Sequence, residues 1–242
     1  MKQAGRVALI TGGNKGIGRQ IGRELGRGGL TVLIGARSLA RGDAAAGTLR
    51  AEGIDAHAIE IDVTDEASVA RAADRILGRF GSLDILVNNA GINDPGDGRP
   101  AHASLDAVRR LLETNFLGAL AVTQSMLPLL RRGRSARIVN LSSSLGSLSL
   151  NGDPTSPYHQ AQWIGYNASK AALNMLTVQL AQELGEHGIA VNAVCPGFVR
   201  TDLNGNTGVL TVEEGAATAV RLALTETGGT GQFLDARGRV PW

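Results

Sequence analysis

The chain has 242 residues, 43% hydrophobic and 19% charged, an ordinary balance for a globular protein with room for a large core. A formal net charge of +2 excludes a strong field for nucleic acid or an anionic membrane surface. A single cysteine, Cys195, excludes an internal disulfide and a cysteine-based zinc site. No window approaches the roughly 20 apolar residues of a transmembrane helix, and the first apolar run is too short for a signal peptide. A cytoplasmic protein is expected, with no membrane or nucleic-acid partner.

In chain order, short aliphatic runs alternate with longer amphipathic stretches. RVALIT (6–11) reads as a strand and 16–28 as a helix; TVLIGA (31–36) as a strand and 39–52 as a helix. DAHAIEIDV (55–63) is followed by a helix at 65–80, and LDILVNN (83–89) by a long helix at 104–131. ARIVNLS (136–142) precedes a helix at 161–186, IAVNAVC (189–195) a helix at 211–226, and GQFLD (231–235) ends the pattern. Aliphatic runs between helices are what strands buried on both faces look like. The expectation is an α/β fold: a doubly wound parallel sheet of about seven strands flanked by helices. With no linker, repeat or low-complexity tract, one domain is expected over 1–242. The four histidines, at 57, 102, 159 and 187, show no metal-ligand spacing, so no metal site is expected. Cys195 reads as a small core residue, and the basic run RRGRSAR (131–137) as a solvated helix end.

TGGNKGIG (11–18) follows the first strand and opens the first helix. The literal G-x-G-x-x-G pattern is absent; the glycines stand at Gly12, Gly16 and Gly18. Such glycines let backbone approach a pyrophosphate and leave the helix amino end free to meet it. A turn that serves packing alone would use glycine too. The second strand ends IGARS, with Arg37 where an NAD site carries an acid for the ribose 2′-hydroxyl. Lys15 sits inside the glycine turn. Two cations there point to a 2′-phosphate, hence NADP(H), unless both are plain surface charges.

Five motifs now stand in order: TGGNKGIG, NNAG (88–91), Asn115 in LETNFLG, NLSSS with YNASK (140–144 and 166–170), and CPGFVRTD (195–202). On them the chain resembles a short-chain dehydrogenase/reductase from near residue 5 to its C-terminus. The cation in the turn, ARS after the second strand and the ending FLDARGRVPW resemble the NADPH-dependent carbonyl reductases of that family. The resemblance implies a Rossmann-type catalytic domain in which Gly12, Gly16 and Gly18 shape the pyrophosphate turn and Asp62 contacts adenine. It implies that Asn88, Ala90 and Gly91 line the cofactor and steady the sheet, and that Thr201 meets the nicotinamide carboxamide. Further cofactor contacts are implied for Asn14, Ile17, Val63, Pro196, Gly197 and Val199.

Tyr166 and Lys170 are four apart in a helical stretch and share a face. A free phenol titrates near pH ~10, and a neighbouring ammonium is expected to lower that. Tyr166 can then give a proton to a carbonyl oxygen, or take one from an alcohol. The resemblance adds that Tyr166 and Lys170 touch the cofactor, Lys170 holding the ribose hydroxyls. Ser143, at the carboxyl end of a strand, is the candidate for hydrogen-bonding the carbonyl, with Ser142 and Ser144 as competitors. Asn115, a mediocre helix former inside a long helix, is implied to hold a water that relays protons from the lysine. A satisfied helical asparagine is the alternative. Tyr158 has Gln162 four residues on and lies in a turn-rich segment, so packing or pocket shaping is expected of it.

One departure stands out: 22 residues separate Ser143 from Tyr166, more than in the family pattern. The extra segment, 151–160, is expected to be a loop walling the site with Tyr158, His159 and Trp163. It leaves monomer, dimer and tetramer open. Loops at 92–103, 144–163 and 200–210 are expected to build the pocket, including PGDGR (95–99). The expected activity is NADPH-dependent reduction of a small ketone or aldehyde to an alcohol. A 3-oxoacyl thioester reductase is the near rival, and an NADP-binding sensor without turnover the rival of another class.

Overall fold

Seven strands, β1 (Val7–Ile10), β2 (Thr31–Ala36), β3 (Ala56–Glu60), β4 (Ile85–Asn88), β5 (Arg137–Leu141), β6 (Ala190–Val194) and β7 (Phe233–Leu234), form one sheet. The computed structural model describes residues 5–225 and 229–242. Every strand pair is parallel, in the spatial order 3-2-1-4-5-6-7. The chain therefore winds outward from β1 to β3, then returns to place β4 against the other side of β1. The connections after β1 and β4 leave to opposite faces of the sheet, which opens a crevice at the reversal. This is the doubly wound, Rossmann-type sheet expected.

The connections are helices α1 (Gly16–Arg27), α2 (Leu39–Ala51), α3 (Glu66–Phe80), α4 (Leu105–Leu112), α5 (Gly118–Leu130), α6 (Leu148–Gly152), α7 (Ile164–Gly185) and α8 (Val212–Leu224). Helices α1, α2 and α8 bury Ile21, Leu25, Leu49 and Leu222 against one face of the sheet. Helices α3, α5 and α7 bury Ile76, Val122, Met126 and Leu173 against the other. Each fully buried side chain of this kind contributes about 1.5–3 kcal/mol, which is why the strands can be nearly all aliphatic. Local chemistry sets the helix ends. Asp65 caps α3 by accepting from Ala67 N, and Gly81 ends it in a left-handed conformation. Thr211 and Glu214 form a capping box at α8. No helix among the described residues is long and apolar enough to cross a membrane.

The structure corrects four expectations. The helix expected over 104–131 is interrupted by a π turn at Glu113–Leu117. The 151–160 segment is not wholly loop: a 3-10 turn at Ser144–Gly146 leads into the short helix α6, which reaches Gly152, and turns follow up to Gln160. Helix α7 starts at Ile164 rather than 161, because its first N–H groups are met by a residue far off in sequence, described below. The helix expected to reach 226 ends at Leu224, and position 226 lies outside the described residues.

Candidate active site

The carboxyl ends of β1 to β6 border two adjoining clefts, of about 660 and 650 Å³, that share Ile17, Asn93, Thr201 and Leu203. The first lies over β1–β4. Its floor is the glycine turn, where Gly16 holds φ +54°, a left-handed conformation that suits glycine. Lys15 caps α1 without a side-chain hydrogen bond, and the first turn of α1 carries no acid. Gly16, Ile17 and Gly18 thus bring a bare helix amino end to the cleft. Asn14, Ala90 and Gly91 line it, as do Arg37 after β2 and Asp62 and Val63 after β3. Asp62 also caps its own turn, its Oδ1 accepting from Thr64 N at 3.0 Å and Thr64 Oγ1 at 2.8 Å. Lys15 is engaged at 2.8 Å by Asp202, whose carboxyl it holds below the usual range. Both groups are well exposed, so the pair is weak.

Two residues here escaped the sequence reading. Arg19, one turn into α1, lines the same cleft as Arg37. Asn88 does not line it; Asn89 does. Asn89 Nδ2 donates to Thr11 O at 2.8 Å and Gly12 O at 3.1 Å, and a Cβ on Gly18 would overlap that amide. Asn88 turns inward instead. It donates to Thr123 Oγ1 at 3.0 Å and Asn140 Oδ1 at 2.9 Å, and Asn140 donates to Thr177 Oγ1 at 2.9 Å. This buried chain ties α5, β4, β5 and α7 together, so Asn88 steadies the sheet without lining the cleft.

The second cleft lies over β5 and β6. Ser143, Tyr166, Pro196, Gly197 and Val199 line it, with Leu145, Trp163, Phe198 and Leu203 as its apolar walls. Tyr166 hydrogen-bonds Ser143. The competing serines point elsewhere: Ser142 Oγ donates to Asn174 Oδ1 at 2.6 Å, and Ser144 Oγ to Cys195 Sγ at 3.2 Å. Lys170 is buried behind Tyr166, with Nζ 5.6 Å from the ring centroid and donating to Leu141 O at 2.8 Å. Asn115 sits in the π turn. Its Oδ1 accepts from Ile92 N at 2.8 Å, and its Nδ2 donates to Ile92 O and Ser169 Oγ. A Cβ on Gly91 would lie 3.4 Å from Asn115 Oδ1 and 3.7 Å from Lys170 Nζ, so the three converge. π turns commonly mark functional positions in helices.

The electrostatics correct one expectation. Burial pushes the Tyr166 phenol up to about 12; Cys195 adds to the rise and the Ser143 hydrogen bond opposes it. Burial lowers Lys170 to about 8, with Cys195 opposing. The expected lowering of Tyr166 by Lys170 is therefore outweighed in the chain alone. Lys170 is buried and Tyr166 partly so, and the ammonium is hydrogen-bonded to Leu141 O. Cys195, expected only as core, is buried but faces this pair electrostatically. Trp163 walls the cleft as expected. Tyr158 and His159 do not line it, and the His159 ring instead hydrogen-bonds Asn151 O at 2.9 Å.

The short chain dehydrogenase family model matches residues 6–209. The chain is 36% identical to short-chain dehydrogenase/reductase 1 of Saponaria officinalis, over 97% of this chain and 95% of that one. It is 35% identical to carbonyl reductase [NADPH] 1 of Macaca fascicularis, over 100% of both chains. Among solved structures it is similar to NADPH-bound carbonyl reductase from chicken fatty liver, with a TM-score of 0.85, 29% identity, and coverage of 98% of this chain and 99% of that one.

Proposed function

This chain belongs to the short-chain dehydrogenase family of oxidoreductases, and we propose that it is an NADPH-dependent reductase of ketones and aldehydes. The observation that carries the reading is the meeting of Ser143 and Tyr166 on the wall of the second cleft with Lys170 buried behind them, its Nζ beside Gly91 of the first. The first cleft fits NADP(H). The bare amino end of α1 suits a pyrophosphate, and Arg37, Arg19 and Lys15 suit a ribose 2′-phosphate. Asp62 and Val63 would flank the adenine, Lys170 would hold the nicotinamide ribose, and Thr201 the carboxamide. The name of the Macaca fascicularis relative points to the same cofactor.

When bound, the nicotinamide supplies a hydride to the carbonyl carbon. Tyr166 supplies the proton to the carbonyl oxygen. Its phenol, pushed up to about 12, is protonated and ready to donate at neutral pH. Ser143 donates a hydrogen bond to the same oxygen as negative charge develops there. Lys170 and Asn115 would return a proton to Tyr166 from solvent.

The second cleft narrows the substrate. Among the described residues lining it, Asp94 and Asp97 are the only charged ones, and the walls are apolar. A neutral, apolar carbonyl suits it, whereas the phosphate of an acyl-carrier thioester meets no cation. This favours a carbonyl reductase over a 3-oxoacyl thioester reductase. A panel of ketones and aldehydes assayed by NADPH consumption, with NADH in parallel, tests the reading. Turnover is expected with neutral apolar carbonyls, at a kcat/KM at least ~10-fold higher with NADPH. No turnover with any carbonyl would remove the reductase; equal use of NADH would remove the cofactor choice.

A further inference from the structure

The first N–H groups of a helix have no partner within it, and a Ser, Thr, Asp or Asn at the N-cap usually supplies one. Helix α7 has neither: its N-cap is Trp163, and its first turn carries no acid. The acceptor comes instead from Asp97, sixty-eight residues upstream of Gly165, in the loop between β4 and α4. Asp97 Oδ1 accepts from Gly165 N at 2.8 Å and Oδ2 from Tyr166 N at 2.9 Å. Oδ1 also accepts from Gly98 N at 2.8 Å, and Ile164 N donates to Gly98 O at 2.9 Å. Three consecutive N–H groups of α7 are thus tied to one dipeptide. The carboxylate faces the positive end of the helix, where charge-assisted hydrogen bonds are strongest.

Two further observations show that the arrangement is built in. Gly165 is buried, and a Cβ there would lie 2.6 Å from Leu111 Cδ1 and 3.1 Å from Asp97 Oδ1. Only glycine leaves the carboxylate its place. The loop is itself anchored: Asn93 Nδ2 donates to Leu203 O at 2.9 Å, Arg110 Nε to Asp94 Oδ2 at 2.8 Å, and Ser104 N to Gly96 O at 2.9 Å.

We propose that Asp97 is a positioning residue for Tyr166, clamping the amino end of α7 to the β4–α4 loop and so fixing where the phenol stands over the cleft. The proposal rests on the reductase reading above. Its physical weight is that a misplacement of about 1 Å at a reacting group can cost ~100-fold in rate. Because Asp94, Pro95 and Asp97 also line the cleft, the clamp joins the substrate wall and the proton donor in one unit.

Asp97→Ala is compared with Asp97→Asn, which keeps one acceptor oxygen. Deuterium exchange of the cofactor-free chain should rise at least ~10-fold in Ile164–Tyr166 for Asp97→Ala and less for Asp97→Asn, with β1 and β4 unchanged. The kcat should fall about 10- to 100-fold for Asp97→Ala and be partly rescued in Asp97→Asn, while NADPH binding stays within ~2-fold. In a Tyr166→Phe background, Asp97→Ala should cost nothing further in the residual rate. Unchanged exchange at 164–166 would overturn the clamp. Faster exchange with unchanged kcat, or an undiminished loss in the Tyr166→Phe background, would overturn the positioning role. A wild type that reduces no carbonyl would sink the reductase reading instead, and the exchange data would still decide the clamp.

Discussion

Helices α1 and α7 both begin at the crevice, and both begin without a local cap. Neither Lys15 nor Trp163 offers its first turn a side-chain hydrogen bond, and neither first turn carries an acid. From that common start they diverge. The amino end of α1 is left bare against the first cleft, whereas that of α7 is filled by Asp97. The difference shows one electrostatic feature put to two uses. An unfilled helix end draws an anion from solution; a filled one holds its own side chains still. An acid at α1 would repel a phosphate, and an empty α7 would let the turn that carries Tyr166 fray.

Four experiments break or sharpen this contrast. The largest effect is expected from Tyr166→Phe, which removes the proton donor held by the filled end. The kcat should fall about 10³-fold while NADPH binding changes little, and Tyr158→Phe should leave kcat within ~2-fold. If Tyr158→Phe is the more damaging, the site assignment is wrong. Next, Arg37→Asp acts at the far side of the cleft that the bare end serves. It should shift the NADPH/NADH ratio of kcat/KM toward NADH by roughly 100-fold. An unchanged ratio would leave Arg37 a surface charge.

The third is a stability profile of the filled end. Lys170 titrates at about 8 in the folded chain and at ~10.4 when exposed. Between these values the unfolded chain binds more protons, so stability should rise with pH there, by on the order of 2 kcal/mol. Tyr166 has the opposite sign. Between ~10 and about 12 the folded chain holds the extra proton, so stability should fall. Urea melts should therefore be most resistant near pH ~10, and Lys170→Met should flatten the rise; a rise that survives the substitution belongs to another group. The smallest effect is expected from Asn14→Asp, which brings an acid to the bare end. NADPH should bind ~10-fold more weakly, while the cofactor-free chain gains about 0.5 kcal/mol. Loss of both affinity and stability would mean a packing fault instead.

The two ends were unequally legible in the sequence. The glycine turn and the aliphatic strands depend on neighbours a few residues apart, so spacing exposed them. The pairing of Tyr166 with Lys170 followed from helical period alone. Asp97 was invisible as a cap because its partners lie sixty-eight and sixty-nine positions on. Asn88 and Asn89 are both polar at a strand end, and nothing local says which turns inward. The direction of the Tyr166 shift depends on burial by elements far apart in the chain, so the lysine four residues away gave the wrong sign. Ser143 separated from Ser142 and Ser144 only once Asn174 and Cys195 took the other two hydroxyls.

The π turn at Glu113–Leu117 also fixes angular phase. Each residue of an α-helix advances the side chains by about 100°, and a wider turn absorbs one residue without that advance. Upstream of it α4 packs on α7; downstream α5 packs on α3. Leu111 and Val122, both fully buried, thus face different neighbours across a run that holds one residue more than a regular helix of the same phase. Deleting that residue would relax the run into a regular helix. The packed faces of α4 and α5 would keep their phase, because the absorbed residue contributes no advance, but the wide turn that presents Asn115 to Ile92 and Ser169 would be lost.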